Sequence, residues 1–423
     1  MSKIAVIGTG YVGLTTGACF AHVGHEVVCA DVDEAKVRRL QRGEIPILEA
    51  GLDNLVREGI DGGRLSFVVG AANAAADCEF AYLCVPTPQG ADGSADLSYI
   101  EAAAREIGPV LPTEAVVVNK STVPVGSTRV VERALGRSDV AVVSNPEFLR
   151  EGSAIHDFLN PDRIVIGAED QGAAVRVSAL YLGITAPVIV TDPASAETIK
   201  YAANAFLATK ISFINAVAAV CEAVGADIKD VALGMGYDTR IGHEFLKPGP
   251  GWGGSCFPKD TRAMVRIAED AGYDFNLLKG VVTVNDEQLN RVAEKILDVA
   301  GGQIEGLRVG AWGLTFKART DDLRESPSIE ILKRLVARGA VVRAYDPSGP
   351  DGIEGIEVVD DPYAAVEGAS VLAVLTEWDE FRWLDIDKVA DLMTARKVVD
   401  ARNLLDRAAY VRRGFEYRGI GRA

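Results

Sequence analysis

Only four histidines occur among 423 residues, and His22, His25, His156 and His243 form no triad with a serine. They are assigned structural or solvent roles. The six cysteines are Cys19, Cys29, Cys78, Cys84, Cys221 and Cys256. None forms a CxxC pair and no histidine cluster lies near them, so no structural zinc site and no other metal is expected. Cys19, Cys29, Cys84 and Cys221 fall in apolar periodic stretches and read as small buried hydrophobes. Such usage suits a reduced, cytoplasmic protein. The sequence has no run of 18 uncharged apolar residues, so no membrane span is expected. The first strand starts at Lys3, which leaves no room for a signal peptide before it. Low-complexity stretches and short-period repeats are missing too. Positive charge is short: 44 Lys and Arg face 60 Asp and Glu, a formal net charge of −16. That balance disfavours non-specific binding to nucleic acid or to an anionic membrane. An anionic ligand must therefore meet a local concentration of cations.

What is present is the composition of a globular protein, 48% hydrophobic and 25% charged, long enough for two or three domains. The first thirty residues read strand, glycine turn, helix, strand. IAVIG is a continuous apolar run, as in a parallel strand buried on both faces. FAYLCVP, AVVVNKS, VAVVS, DRIVIGA and PVIVT repeat that pattern, with helical segments between several of them, which is the rhythm of a doubly wound parallel sheet. From Asp192 the pattern changes. Between Pro193 and Gly225 there is no Gly or Pro, and Ile199, Ala203, Phe206, Phe213 and Val217 recur on a helical period. About 30 residues at 1.5 Å each would reach roughly 45 Å, a spine joining two domains or two subunits. Beyond residue 300, LRVGAWGL, VVRAYDP, SVLAVLT and KVVDA read again as buried strands around the helix SPSIEILKRLVARGA. The expected class is α/β: a Rossmann-like dinucleotide domain at 1–192, a central helical segment at 193–300, and a second, smaller Rossmann-like domain at 301–423.

Four stretches and one pair of side chains carry chemistry. Gly8-Thr9-Gly10-Tyr11-Val12-Gly13 follows a strand and opens a helix, and Asp31 ends the next strand 21 residues after Gly10. Glycines at this turn let backbone approach a pyrophosphate, and the acid holds a ribose diol while repelling a 2′-phosphate, so NAD is favoured over NADP. Lys120-Ser121-Thr122-Val123-Pro124 and Asn145-Pro146-Glu147-Phe148-Leu149-Arg150-Glu151-Gly152 each follow a buried strand, at the sheet edge where ligands bind. A helical turn would put Glu147 and Glu151 on one face; the blander reading is a solvated acidic pair. On the long helix Lys200 and Asn204, four apart, sit among Ile, Ala and Phe, where a lysine is desolvated or snorkels to water. The fourth stretch is GPGWGGSCFPKD, residues 249–260. It sets Cys256 in bare backbone with Lys259 and Asp260 close behind. Neighbouring cations favour a thiolate, and Asp260 could accept or relay a proton. A packing role for Cys256 is the alternative.

Taken in order, GTGYVGL, KSTVPVG, NPEFLREG, the Lys200–Asn204 pair, GPGWGGSCFPKD and FKARTDDLRESPS resemble the UDP-glucose/GDP-mannose dehydrogenase family from residue 4 to about residue 403. GGSCFPKD is most similar to the branch acting on UDP-glucose. Relatives acting on GDP-mannose tend to carry Leu at the position of Phe257, and those acting on N-acetylated mannosamine tend to carry His at the position of Ser255. Trp252 stands where Phe or Tyr is commoner, which should tighten the loop. The resemblance implies oxidation of a sugar-nucleotide primary alcohol to a carboxylate with two NAD. An aldehyde is captured by Cys256 as a thiohemiacetal, oxidised to a thioester and hydrolysed. Covalent attachment is what lets the aldehyde carbon lose a second hydride.

The same resemblance implies the roles of single residues. Lys200 and Asn204 polarise the substrate oxygen and touch the substrate; Asp260 and Glu147 serve proton transfer or water positioning, with Thr122 helping to hold the water. Gly8, Gly10, Tyr11, Val12, Gly13, Asp31, Lys36, Thr87, Thr122, Glu151 and Arg324 match cofactor positions, although Lys36 read alone is a solvated surface lysine. Phe148, Leu149, Glu151, Phe245, Leu246, Gly249, Gly253, Lys317 and Arg402 match positions for the sugar nucleotide. The segment Gly236–Gly242 resembles one that crosses to a partner's site, which would set Arg240 against the partner's sugar in a homodimer or larger assembly; otherwise Arg240 is an ordinary surface arginine. The expected substrate is UDP-glucose. Another sugar nucleotide, GDP-mannose or a UDP-N-acetylhexosamine, remains open, as does a silent nucleotide-binding sensor on the same fold.

Overall fold

The computed structural model describes residues 1–90, 95–302 and 305–422. The chain forms two compact units, Met1–Ala203 with Arg262–Ala271 and Asn204–Thr261 with Gly272–Ala423. The first is built on β1 (Lys3–Ile7), β2 (Glu26–Asp31), β3 (Leu65–Val69), β4 (Phe80–Leu83), β5 (Val116–Asn119), β6 (Ala141–Ser144), β7 (Ile164–Gly167) and β8 (Val188–Thr191). Their order across the sheet is β3-β2-β1-β4-β5-β6-β7-β8. From β1 to β6 the pairings are parallel. Alternate residues of the central strands feed two cores: Ile4, Val6, Tyr82 and Val118 face one, Ala5, Ile7, Leu83 and Val117 the other. Burial on both faces is why these strands read as unbroken apolar runs.

Two features depart from the expectation. β3 was not singled out, because LSFVV leaves Ser66 and Val69 exposed and lacks a continuous apolar signal. β7 meets β6 antiparallel, through Ser144 and Gly167, and β8 then runs parallel to β7. The sheet is mixed, not wholly parallel: an apolar run reads alike in both directions, and only its connections set its sense.

The long helix spans Pro193–Val224, 32 residues, as expected. Pro193 occupies its first position, and Asp192 caps it by accepting from Ser195 N at 2.8 Å. It stops at Gly225, with φ +75°, where Ala226 N bonds Cys221 O at 2.9 Å. The division between the units falls inside this helix.

The second unit holds residues 204–224 of that helix and a helix at Asn276–Ala300 that periodicity had not brought out. Its strands are β9 (Arg308–Trp312), β10 (Val341–Tyr345), β11 (Ile356–Val358), β12 (Val371–Val374), β13 (Lys397–Asp400) and β14 (Glu416–Gly419). Their order, β11-β10-β9-β12-β13-β14, repeats that of the first six strands, and every pairing is parallel. The repeat extends to one side chain. Asp346 follows β10 as Asp31 ends β2, one residue past the last pair registered with the central strand. Asp346, however, is buried and accepts from Leu314 N, Thr315 N, Thr315 Oγ1 and the Trp378 indole at 2.7 to 3.1 Å. In the second sheet this acid closes the turn from within.

Candidate active site

In the first unit, the carboxyl ends of β1, β2, β4, β5 and β6 lead into the residues singled out. Gly8 to Gly13 pass from β1 into the helix Tyr11–His22. A Cβ at Gly13 would lie 1.9 Å from Gly8 O, so only glycine allows that turn. Among the described residues nothing lies within 4 Å of a Cβ built on Gly10, which leaves open space over the turn. Asp31 Oδ2 accepts from Thr9 Oγ1 at 2.6 Å, Thr9 N at 3.1 Å and Lys36 Nζ at 3.0 Å. Burial works against its charge, yet these bonds and one from Asp33 N hold its carboxyl down to about 2. Lys36 is therefore tied to Asp31, not simply solvated. Tyr11 turns its hydroxyl to the buried Glu49, while Val12 packs against the sheet core. Thr87 Oγ1 donates to Thr122 O at 2.9 Å, joining the loops after β4 and β5.

After β6, residues 145–150 form no helical turn. Glu147 and Glu151 are not a helical pair, and Glu147 is not solvated. Its Oε2 accepts from Leu149 N at 2.6 Å, a local bond that competes with helix formation and turns the side chain inward. There Glu147 is buried and its Oε1 accepts from Lys200 Nζ at 2.9 Å. Burial would push its carboxyl up, but the Lys200 ammonium, the Leu149 amide and the Lys120 ammonium hold it below its ordinary value. Lys200 has 4% of its side chain exposed, so it is desolvated and paired and does not snorkel. Phe148 lies between two cations, with the Arg163 guanidinium 3.7 Å and Lys200 Nζ 5.4 Å from its ring centre. Glu151 is half-buried, beside Gly152, whose N–H donates to Glu49 at 2.7 Å.

In the second unit, Cys256 stands at the amino end of the helix Phe257–Asp270, its carbonyl accepting from Asp260 N at 2.9 Å. That end of a helix favours negative charge on the sulfur. Cys256 is half-buried, whereas the other five cysteines are buried. Asp260 is fully buried; it accepts from Asn204 Nδ2 at 2.6 Å and from Lys259 Nζ at 2.7 Å. Lys259 and Asp260 thus follow Cys256 within about one helical turn, and the Asn204 carboxamide reaches Asp260 from the long helix. The loop before Cys256 is fastened from several sides. Trp252 donates its indole N–H to Ser212 Oγ at 2.9 Å and its backbone N–H to Asn285 Oδ1 at 2.8 Å, so it tightens the loop as expected. A Cβ at Gly253 would lie 2.0 Å from Glu325 O, and Gly254 N donates to Arg324 O at 3.1 Å. FKARTDDLRESPS is packed directly on the cysteine loop.

Arg402 ties a third segment to these two. Its guanidinium donates to Leu375 O at 2.8 Å and to Phe316 O at 2.9 Å, and it borders Gly249. Lys317 is half-buried, with Nζ 5.4 Å from the Phe316 ring centre. Phe245, at φ +62°, sets its ring 6.3 Å from that of Phe257. Leu246 puts its side chain in the core. Arg324 pairs with Asp322 at 2.7 Å and Arg240 with Asp238 at 2.6 Å, both arginines largely exposed.

Three family models match in sequence. They are the NAD binding domain of the UDP-glucose/GDP-mannose dehydrogenase family over residues 2–185, its central domain over 194–287 and its UDP binding domain over 310–407. The chain belongs to the UDP-glucose/GDP-mannose dehydrogenase family. It is 48% identical to a UDP-glucose 6-dehydrogenase of Rhizobium meliloti (strain 1021), covering 99% of each chain. A UDP-glucose dehydrogenase structure from Pyrobaculum islandicum is similar with a TM-score of 0.93 at 39% identity, over 100% of this chain and 98% of that one. A UDP-D-ManNAc dehydrogenase structure from Pyrococcus horikoshii is similar with a TM-score of 0.88 at 27% identity, over 99% of each.

The residues of this chain fit the cofactor of the family. The open Gly10 turn at a helix start suits a pyrophosphate, and Asp31, ionised far below neutral pH, suits a ribose diol. Because Asp31 stays charged through the working range, its repulsion of a 2′-phosphate does not titrate away there. NAD should exceed NADP in kcat/KM by about 100-fold at pH 6 and at pH 9 alike, as like-charge juxtaposition costs several kcal/mol. Comparable rates with NADP would refute the role of Asp31.

Sequence reasoning gave no role to several residues that build this site. Lys120 is buried and donates to Asn145 Oδ1 at 3.2 Å and Tyr181 Oη at 3.3 Å, making a second cation that acts on Glu147. Glu49 accepts from Gly152 N and Ala154 N at 2.7 and 2.9 Å as well as from Tyr11, fastening the glycine turn to the loop that bears Glu151. Lys120 stood in the stretch read at the sheet edge, but its contact with Asn145, 25 residues on, gave no local signal of its role. Glu49 gave no such signal, because its donors lie 103 and 105 residues away.

Proposed function

We propose that the protein oxidises the C6 hydroxymethyl group of UDP-glucose to the carboxylate of UDP-glucuronate, a four-electron oxidation, with Cys256 as nucleophile. The observation that carries this reading is Cys256 at a helix start, backed by the buried Asp260 and its two partners. Two NAD, bound in turn at the glycine turn and Asp31, would supply the hydride acceptors, one for each oxidation. Between them, Cys256 Sγ adds to the C6 aldehyde; an S–C bond forms and the carbonyl π pair moves to oxygen. Lys200 and Asn204 donate N–H groups to that oxygen, as charge-stabilising donors do for an oxyanion. After the second oxidation the carbon is a thioester, and water displaces Cys256 as the thiolate. Glu147, kept ionised, and Thr122 position that water, and Asp260 holds or releases the proton. Lys317 and Arg402 supply cations for a UDP group in a chain of net charge −16, with the Glu377 carboxylate 2.9 Å from Arg402 offsetting part of that charge.

UDP-glucose is favoured over other sugar nucleotides by GGSCFPKD and by relatives of that name at higher identity. The test is absorbance at 340 nm over a panel of sugar nucleotides. Two NADH per UDP-glucuronate are expected, with kcat/KM for UDP-glucose about 100-fold above GDP-mannose and UDP-N-acetylhexosamines. One NADH per turnover, or a preference for another sugar, would refute the reading. No reduction with any member of the panel would favour a nucleotide sensor.

The active unit is a homodimer or a larger assembly. On the long helix Phe206, Phe213, Val220 and Val224 are each more than half exposed and recur along one face. Beside them runs a groove of about 380 Å³ lined by Ala216, Ala219, Val220 and Ala223 with Val284 and Arg291. By length and composition this helix could also cross a membrane. A second copy covers the stripe better, since Lys210, Asn215 and Glu222 of the same helix make polar bonds within the chain. Membrane and nucleic acid are not expected partners of so acidic a protein. Arg240 then reaches the partner's sugar. Mixing inactive Cys256→Ala and Arg240→Ala chains should restore activity, because one site of the mixed dimer keeps both residues. No recovery in confirmed heterodimers would place Arg240 outside the partner's site.

A further inference from the structure

The mechanism leaves one buried acid of the long helix unused. Glu197 is 2% exposed, three residues before Lys200. Its Oε2 accepts from Gly126 N at 2.6 Å, and its Oε1 accepts from Thr128 N at 3.0 Å and Thr128 Oγ1 at 2.8 Å. These donors are the N-cap residue Gly126, with φ +92° and no side chain to cap the helix, and Thr128 in the first turn of the helix Ser127–Leu135. A cap that would ordinarily come from the neighbouring sequence comes instead from about 70 residues away.

The geometry points to Glu197 as a positioning residue for the loop 120–126, which carries Thr122. That loop is held at its other end by Ser121 Oγ on Val85 O at 2.7 Å and by Thr122 O, which accepts from Thr87 Oγ1 at 2.9 Å. Between these anchors the backbone turns through Pro124, whose carbonyl accepts from Ser127 Oγ at 2.6 Å. With both ends fixed, Thr122 has little freedom. One helix therefore presents two side chains to two loops of the first unit: Lys200 to Glu147 after β6, and Glu197 to the amino end of the helix that follows Thr122. Burial pushes the Glu197 carboxyl up, while Thr128, Gly126 and Ser127 draw it down. An acid kept there against its solvation is expected to be held by a requirement on the loop. The inference rests on the reading of Thr87 and Thr122 as cofactor-side residues.

The test measures NAD binding by isothermal titration calorimetry, with steady-state kinetics and Tm beside it, on Glu197→Gln, Thr128→Val and Thr122→Ala. A glutamine keeps the shape but offers one accepting oxygen in place of two, so one helix N–H loses its partner. Glu197→Gln should weaken NAD by about tenfold and raise KM for NAD alike, with KM for UDP-glucose within about twofold of wild type. Thr128→Val removes one donor to the same carboxylate and should weaken NAD by about threefold. It decides the matter if the glutamine variant does not fold. A fall in Tm with NAD affinity unchanged in Glu197→Gln and Thr128→Val would overturn the inference and leave Glu197 a helix cap only. Thr122→Ala separates the two layers. If it weakens NAD and the other two do not, the inference about Glu197 is wrong. If Thr122→Ala binds NAD as wild type does, the loop is not on the cofactor side, and the inference falls with that reading.

Discussion

A Cys256→Ser chain should form UDP-glucuronate more than about a thousandfold more slowly than wild type, with its fold and its NAD affinity intact. Serine is close in size to cysteine, and Cys256 is half-buried at the start of a helix whose first turn it closes through its backbone carbonyl. Neither that bond nor the packing of Gly253 and Gly254 on residues 324–325 depends on the sulfur. Removal of the thiol therefore leaves the loop in place and takes away only the proposed nucleophile. A hydroxyl at the same position is a far poorer thiolate substitute at neutral pH, and a serine ester would release its product more slowly than a thioester. Substrate dissociation constants should be unchanged. Near wild-type production of the acid by the serine variant would reject covalent catalysis.

Lys200→Ala should lose both activity and stability, for separable reasons. The ammonium is the counter-ion of Glu147, which is buried and accepts from it at 2.9 Å. Breaking such a pair leaves an uncompensated buried charge, at a cost of about 3–5 kcal/mol. On the proposed mechanism the same ammonium donates to the developing oxyanion, and the loss of one such donor costs about 100- to 1000-fold in kcat. Lys200→Met with Glu147→Leu separates stability from activity, because it removes both charges and keeps the volume while leaving neither group for catalysis. Tm should recover most of its fall in the double variant, and kcat should not. Recovery of kcat with Tm would make the pair structural only.

Much of the architecture could be read from the amino-acid sequence because buried parallel strands leave an unmistakable apolar run. Val116–Asn119 and Phe80–Leu83 are buried at every position and were plain. β3 and the three-residue β11 were not, since a half-exposed or very short strand has no such run. The antiparallel sense of β7 was hidden for another reason: direction is a property of the connection. In the site, Gly13 and Gly253 could be found because a glycine excluded from any other choice by a backbone contact leaves a fixed pattern of glycines. The partners of the charged groups could not. Lys200 meets Glu147 across 53 residues, and Asn204 meets Asp260 across 56. The supposed Glu147–Glu151 face failed because Glu147 bonds the backbone two residues on, which breaks the helical spacing.

The most direct test of the central claim is a rapid-quench single turnover with radiolabelled UDP-glucose, excess protein and excess NAD, the quenched protein then being digested and mapped. The account predicts label that appears transiently on the peptide carrying Cys256, is released by hydroxylamine as a thioester would be, and decays into UDP-glucuronate at the rate the acid is formed. Label passing from UDP-glucose to UDP-glucuronate with none attached to Cys256 at any quench time would contradict it.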